Sequence, residues 1–343
     1  MPSSDEILDR WTGMAPDADF QQTVQKAFDL PLDDDYVYTA ESFAMPLGQI
    51  QDLIRTGNLT WTYSTHERVL EVPETDITAY TAIFASTTDT AKALTSFAAN
   101  AKKGSPRQEV AHHLLAKRRL PTTIKSSKLK KPHLNPYFDV WAWSCRATRF
   151  VGPLGEETGY ADPAKSKMTH PMLPVLYHHF GCVCPSYEAL SMIGQLVAGT
   201  AADGVVDMAS GSGYWTYLLR RLGIAVTAVD NMDASWRTMW IEDTIKADGV
   251  DYLKRQGGVK NQILLMIYMV TRGAFTRHVL RTYKGDTIVV VGTQNTNKYT
   301  TFSDVTVEEY FEREQNDFEL SVRIALPSFA GKDEAMFVFQ RKR

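Results

Sequence analysis

Cysteine is scarce: Cys145, Cys182 and Cys184 are the only three in 343 residues. So small and odd a number argues against a disulfide framework, and reduced thiols are expected. The stretch from Tyr177 to Cys184 does gather His178, His179, Cys182 and Cys184. Its Cys-x-Cys lacks the usual two-residue gap and no second ligand pair follows, so no metal site is expected. Long apolar runs are missing too; none approaches the roughly 20 residues that cross a bilayer. The first residues, Met1-Pro2-Ser3-Ser4-Asp5-Glu6, carry neither the basic start nor the apolar stretch of a secretory signal, and the expected location is cytoplasmic. Strong charge of one sign is also lacking. At a net −3, the whole molecule has no electrostatic case for binding nucleic acid.

What is present divides into two regions. With 44% hydrophobic residues the chain can bury one large core or two smaller ones. Residues 1–100 hold 16 acids against 5 basic residues, whereas residues 101–133 hold ten lysines and arginines against the single acid Glu109. That basic stretch reads as a solvated, partly flexible segment. Ser3 and Glu6 form a capping-box pattern, and Phe20–Leu30, Leu47–Arg55 and Thr90–Ala99 have helical character, while residues 58–64 alternate as a strand would. Residues 1–160 are therefore expected to form a mainly helical extension. Gly and Pro between Val151 and Ala164 mark a loop, and residues 161–343 read as a second domain.

The second domain opens its chemistry with Gly204-Val205-Val206-Asp207-Met208-Ala209-Ser210-Gly211-Ser212-Gly213, running straight into Tyr214-Trp215-Thr216. The pattern is strand, glycine turn, helix. Gly211 and Gly213 allow backbone to approach a ligand closely at a helix N-terminus. A pyrophosphate would be repelled by Asp207, and the third glycine of a dinucleotide site is replaced by Thr216. The carboxylate suits an ammonium or sulfonium group instead, which points to S-adenosylmethionine. A second β-branched run, from Ile224 to Val229, ends in Asp230-Asn231, where an acid can grip both ribose hydroxyls. A third apparent strand near Thr244–Ala247 ends at Asp248-Gly249, a position to meet the adenine amino group.

Acids at three successive strand ends around a glycine turn resemble the class I S-adenosylmethionine-dependent methyltransferases over roughly residues 186–343. Ala209 stands where that family has its first glycine. The resemblance implies an α/β, Rossmann-like sheet of seven strands with helices on both faces. It also implies a cofactor held by Asp207, Ala209, Gly211, Gly213, Tyr214, Asp230, Asn231, Asp248 and Gly249, with S-adenosylhomocysteine as product. Strand four, Gln262–Tyr268, lacks the Asp/Asn-Pro-Pro-Tyr motif of enzymes that methylate base and amide nitrogens. Strand five follows Gly285, and an antiparallel pair, Phe318–Ile324 with Ala335–Gln340, completes the sheet.

An acceptor should lie beyond the carboxyl ends of these strands, oriented by Tyr268, Gln294 and Asn295. His178, His179 and His278 are candidate general bases by residue type, although buried histidines are more often structural. These features favour methyl transfer to a small organic molecule, oxygen ahead of nitrogen, with the extension covering the acceptor pocket. Two other readings stay open. One is a methyltransferase-like fold that binds, rearranges or cyclises a ligand without methylation; the other is an RNA or protein methyltransferase docking through residues 102–131.

Overall fold

A computed structural model describes residues 2–15, 17–32, 36–40, 43–58, 60–63, 67–70, 72–122, 124–125, 128–153, 168–169, 171–269, 274–294, 302, 304–329 and 332–342. The expected boundary between residues 160 and 161, and Asn295, lie outside the described residues.

The amino-terminal region contains helices α1 (Ser4–Arg10), α2 (Phe20–Phe28), α3 (Leu47–Arg55), α4 (Glu74–Ala82), α5 (Thr90–Ala99), α6 (Pro106–Lys117) and α7 (Pro136–Ala147). Their starts follow from side-chain chemistry. Ser3 and Glu6 complete the capping box on α1, and Asp19, Asp89, Ser105 and Asn135 each cap the helix they precede by accepting a backbone N–H. Strands also occur here. β1 (Val37–Ala40) pairs with β2 (Phe43–Pro46), and β3 (Thr60–Tyr63), β4 (Glu67–Leu70), β5 (Arg149–Pro153) and β6 (Met168–Thr169) form a small sheet in the order β4-β5-β3-β6.

The basic stretch is more ordered than its charge suggests, because α6 lies within it and several of its charges find internal partners. Arg107 pairs with Asp76 at 2.9 Å and Arg118 with Glu188 at 2.5 Å, both arginines being largely buried. Arg119 bridges to Arg323 through backbone hydrogen bonds.

The carboxy-terminal region begins with α8 (Leu173–His179) and α9 (Tyr187–Gly199), the latter capped by Ser186. Then follow β7 (Gly204–Met208), α10 (Tyr214–Arg221), β8 (Val226–Asp230), β9 (Ile245–Lys246), α11 (Gly249–Arg255), β10 (Gln262–Ile267), α12 (Phe275–Thr282), β11 (Thr287–Thr293), α13 (Val307–Glu314), β12 (Phe318–Ala325) and β13 (Glu334–Arg341). Seven strands align in the order β9-β8-β7-β10-β11-β13-β12. β7 to β11 run parallel, and β13 lies antiparallel between β11 and β12. The fold is α/β and Rossmann-like, with the strand count and the antiparallel pair anticipated from the sequence.

Parallel central strands are buried on both faces, which is why β7, β10 and β11 read as nearly continuous apolar runs. Val205, Ile263, Leu265, Val289 and Val291 face one cluster, shared with α9, α10 and the amino-terminal helices. Val206, Leu264, Met266, Ile288 and Val290 face the other, with residues of α11, α12 and α13. The first cluster runs without a break from Ile7 and Trp141 to Val338, so the extension and the sheet share one core.

Candidate functional site

β7 ends at Met208, and the chain then turns through two left-handed positions, Ala209 at φ 57° and Gly211 at φ 56°, before Gly213 at φ 72° caps α10. The two glycines serve different ends. A Cβ on Gly213 would come within 2.5 Å of Ile241, so this glycine permits packing; a Cβ on Gly211 would meet nothing within 4 Å. Open space above Gly211 is the cradle that a close-lying ligand needs.

Asp207 is fully buried on β7, and Thr216 donates to its Oδ2 at 2.6 Å. Burial is the main cause that pushes its pKa up to about 7, and the nearby Asp230 adds to it. Oδ1 has no hydrogen-bond partner, and neither does the buried Oγ of Ser210 in the turn itself. An orphaned buried polar atom costs about 1–3 kcal/mol, so two beside one glycine turn fit a polar ligand. The acid suits a positively charged group there.

Asp230 ends β8, 9% exposed, with both oxygens engaged: Oδ2 accepts from Gly211 N at 2.9 Å and Oδ1 from Met232 N at 2.6 Å. A carboxylate has lone pairs beyond these two bonds and can take ribose hydroxyls while fixing the turn. Asn231 is exposed and bonds to Asp233. Asp248, also exposed, caps α11 through Oδ1, which accepts from Val250 N and Asp251 N. A Cβ on Gly249 would collide with Met208 and Phe275, so close packing of α11 accounts for that glycine.

Several expected site residues lie elsewhere. Tyr214 is turned into the protein: its hydroxyl donates to Asn135 Oδ1 at 2.7 Å, and its ring packs against Phe180 and Trp240. As the first residue of α10 it anchors α7 instead of covering a cofactor. His179 is buried with both ring nitrogens occupied, by Tyr38 and Thr238 at 2.8 Å each, and it stacks on Phe28. Burial and His178 hold its pKa well below the usual value. His178 packs against Tyr38 and Trp236, and burial, assisted by Arg237, lowers its pKa to about 4, a weak base. His278 is exposed on α12. Among the described residues, no three His, Cys, Asp or Glu groups gather to hold a metal ion.

Tyr268 is where the acceptor was expected, directly after β10 at φ 51°. Lys332, 3% exposed, donates through Nζ to its hydroxyl at 2.7 Å and to that of Tyr177, and lies 5.0 Å from the centre of each ring. Gln294 N donates to Asp333 O and its side-chain amide to Asp333 Oδ1 at 2.8 Å, leaving Gln294 Oε1 buried and unpartnered. Glu334, 1% exposed, opens β13 opposite Thr293, and its Oε1 is unpartnered as well. Sequence reasoning missed Lys332 and Glu334. Their signal is charge at the threshold of an apolar strand: Glu334 shares the inward face of Met336 and Val338.

A surface hollow of about 340 Å3, lined in part by Arg119, Glu308, Phe311 and Phe318, lies at the amino end of β12, away from these strand ends. No helix among the described residues is long and apolar enough to cross a membrane.

No family model matches the chain, and no curated protein does. Similar solved structures include a magnesium protoporphyrin IX methyltransferase from Synechocystis PCC 6803 with bound S-adenosylhomocysteine. It shows 12% identity over 45% of this chain and 83% of that one, with a TM-score of 0.32. The Burkholderia thailandensis 1,6-didemethyltoxoflavin-N1-methyltransferase, solved with its acceptor and S-adenosylhomocysteine, gives 15% identity over 46% and 78%, at 0.34. An O-methyltransferase from Bacillus cereus gives 11% over 46% and 82%, at 0.33.

Proposed function

We propose that this protein transfers a methyl group from S-adenosylmethionine to a small organic acceptor, at oxygen in preference to nitrogen. One observation carries the reading: a buried carboxylate oxygen, Asp207 Oδ1, unpartnered beside a glycine turn that is open above Gly211. An acid at that place matches a cationic ligand and opposes a pyrophosphate. Similar solved methyltransferases were obtained with S-adenosylhomocysteine, and the strand-four end Ile267-Tyr268-Met269 lacks the nitrogen-methylation motif.

When bound, the cofactor supplies an electrophilic methyl group on a sulfonium whose departure leaves a neutral thioether. Asp207 provides the negative charge for its cationic end. Gly211 lets backbone lie against it, Asp230 accepts from the ribose while keeping Gly211 N in place, and the start of α11 at Asp248 receives the adenine. Alignment supplies much of the acceleration in an in-line displacement, so the fixed turn and buried walls are the main contribution of the protein.

Calorimetry with S-adenosylhomocysteine tests the assignment. Micromolar affinity is expected, and a hundredfold excess over Kd should raise stability by about 2.7 kcal/mol. Absence of both heat and thermal stabilisation at millimolar ligand would sink it.

A further inference from the structure

Gln294 stands one residue past β11 and Asp333 one residue before β13, side by side at the carboxyl edge of the parallel strands. Gln294 N donates to Asp333 O at 3.0 Å, and Gln294 Nε2 donates to Asp333 Oδ1 at 2.8 Å. A carboxylate oxygen only accepts, so the amide must turn its nitrogen towards Asp333 and its Oε1 away. That oxygen is buried without a hydrogen-bond partner, on a residue 8% exposed.

Asp333 is itself held from the amino-terminal region. Nε2 of His113, half-exposed on α6, lies 3.0 Å from Asp333 Oδ1 and 3.2 Å from Oδ2. Asp333 has a left-handed φ of 48°, which costs a residue with a Cβ and persists where partners hold it. Three side chains thus form a row from α6 to the end of β11.

Other charges surround the imidazole. Lys117, one turn on along α6, and Arg323 on β12 oppose a positive charge there, and Arg323 is paired with Glu308 on α13. Glu109, one turn back on α6, is exposed. Lys332 directs its ammonium to the Tyr177 and Tyr268 hydroxyls, and Glu334 Oε2 accepts from Phe329 N. The hydrogen bond to Asp333 outweighs burial and the two cations and raises the His113 pKa above the ordinary 6.5. The charged pair is therefore complete below that ordinary value and is lost as pH rises through the higher folded value.

We propose that His113 and Asp333 are positioning residues for Gln294: the histidine steadies the carboxylate, the carboxylate turns the amide, and Oε1 is presented to a hydroxyl or amine proton of the methyl acceptor, more firmly when His113 is charged. An ether or an ester at that place has no proton to give and would leave Oε1 unpaired. Assigning the proton to a methyl acceptor rests on the methyl-transfer reading; the coupling of the three side chains does not.

The coupling is read by NMR on the full chain labelled with 15N in glutamine and histidine. Gln294→Asn identifies the Gln294 amide signals, and His113→Gln identifies the imidazole. The Gln294 side-chain amide should shift with pH at the same midpoint as His113, above the ordinary 6.5. Asp333→Asn, a residue that tolerates the left-handed turn, should lower the His113 midpoint. His113→Gln keeps a donor towards Asp333 and should flatten the pH response of the amide. An amide indifferent to the His113 titration, a response that survives in His113→Gln, or a midpoint unchanged in Asp333→Asn would overturn the coupling. S-adenosylhomocysteine is added last: a coupled amide in a protein that ignores it would support the positioning of Gln294 and refute the methyl-transfer reading.

Discussion

Replacing Asp207 by Asn should make the protein more stable above neutrality and a poorer binder of S-adenosylmethionine. The side chain is buried, and its pKa of about 7 stands about three units above the ordinary 3.8. At about 1.4 kcal/mol per unit, ionising this group in the folded state costs about 4 kcal/mol more than in the unfolded chain. For an acid with a raised pKa, stability is fullest below the unfolded value and is lost as pH rises towards the folded value. The loss therefore runs from about pH 4 to about pH 7 and is flat beyond, with about 2.5 kcal/mol of it falling between about pH 5 and about pH 8. Asn keeps an acceptor for Thr216 and removes the titration, but places an N–H where Oδ1 is unpartnered, at a cost of about 1–3 kcal/mol. A net gain of about 1–3 kcal/mol is expected at pH 8, vanishing or reversing near pH 5. Urea unfolding of both proteins at the two pH values measures it, and calorimetry should show cofactor affinity down about tenfold. Parallel stability curves would refute the reasoning, because they would mean that Asp207 does not titrate near neutrality.

Asp230→Ala should weaken S-adenosylhomocysteine binding about tenfold or more, since charged hydrogen bonds to ribose are worth roughly 1.5–3 kcal/mol; an unchanged Kd in a folded variant would remove Asp230 from the site. Ala209→Gly should stabilise the chain by about 1 kcal/mol, because a left-handed φ costs a residue with a Cβ roughly 1–2 kcal/mol and the added unfolded-state freedom returns part of it. A lower urea midpoint would contradict that account. A chain beginning near Asp162 lacks the helices that share one core with the sheet, so it should self-associate through the apolar face it exposes and lose both cofactor binding and product formation. Full turnover by it would move the acceptor site to the loops after Tyr268 and Gly292.

The sheet was legible because its strands carry their own signals. β7, β8, β10 and β11 are short apolar, β-branched runs buried on both faces, and each is bounded by Gly, Asp or a polar turn. β9 was the weak case, only Ile245 and Lys246, both exposed, held by its pairing with β8. The glycine turn could be read because its needs are local: backbone clearance at 211 and 213 and acids at neighbouring strand ends. Tyr214 could not be placed, since adjacency to the turn says nothing of the direction its ring takes, and its direction is set by Asn135, 79 positions away. The charge of residues 101–133 likewise hid α6, whose cap at Ser105 and first-turn Pro106 are ordinary helix-start chemistry. Tyr177, Tyr268 and Lys332 meet only through the fold, so no spacing along the chain announces them.

Asn135 explains why the extension and the sheet behave as one body. Its Oδ1 accepts from Phe138 N, capping α7, and from the Tyr214 hydroxyl at the start of α10, while its Nδ2 donates to Pro185 O ahead of α9. One side chain, 4% exposed, thus fixes three helix starts in one buried knot. Tyr137, two positions on, donates its backbone N–H to the same Tyr214 hydroxyl. The start of α10 is therefore held by two residues at the start of α7, its cap Asn135 and Tyr137. That leaves no seam between the two regions: the amino-terminal helices bury the sheet's apolar face in one continuous core.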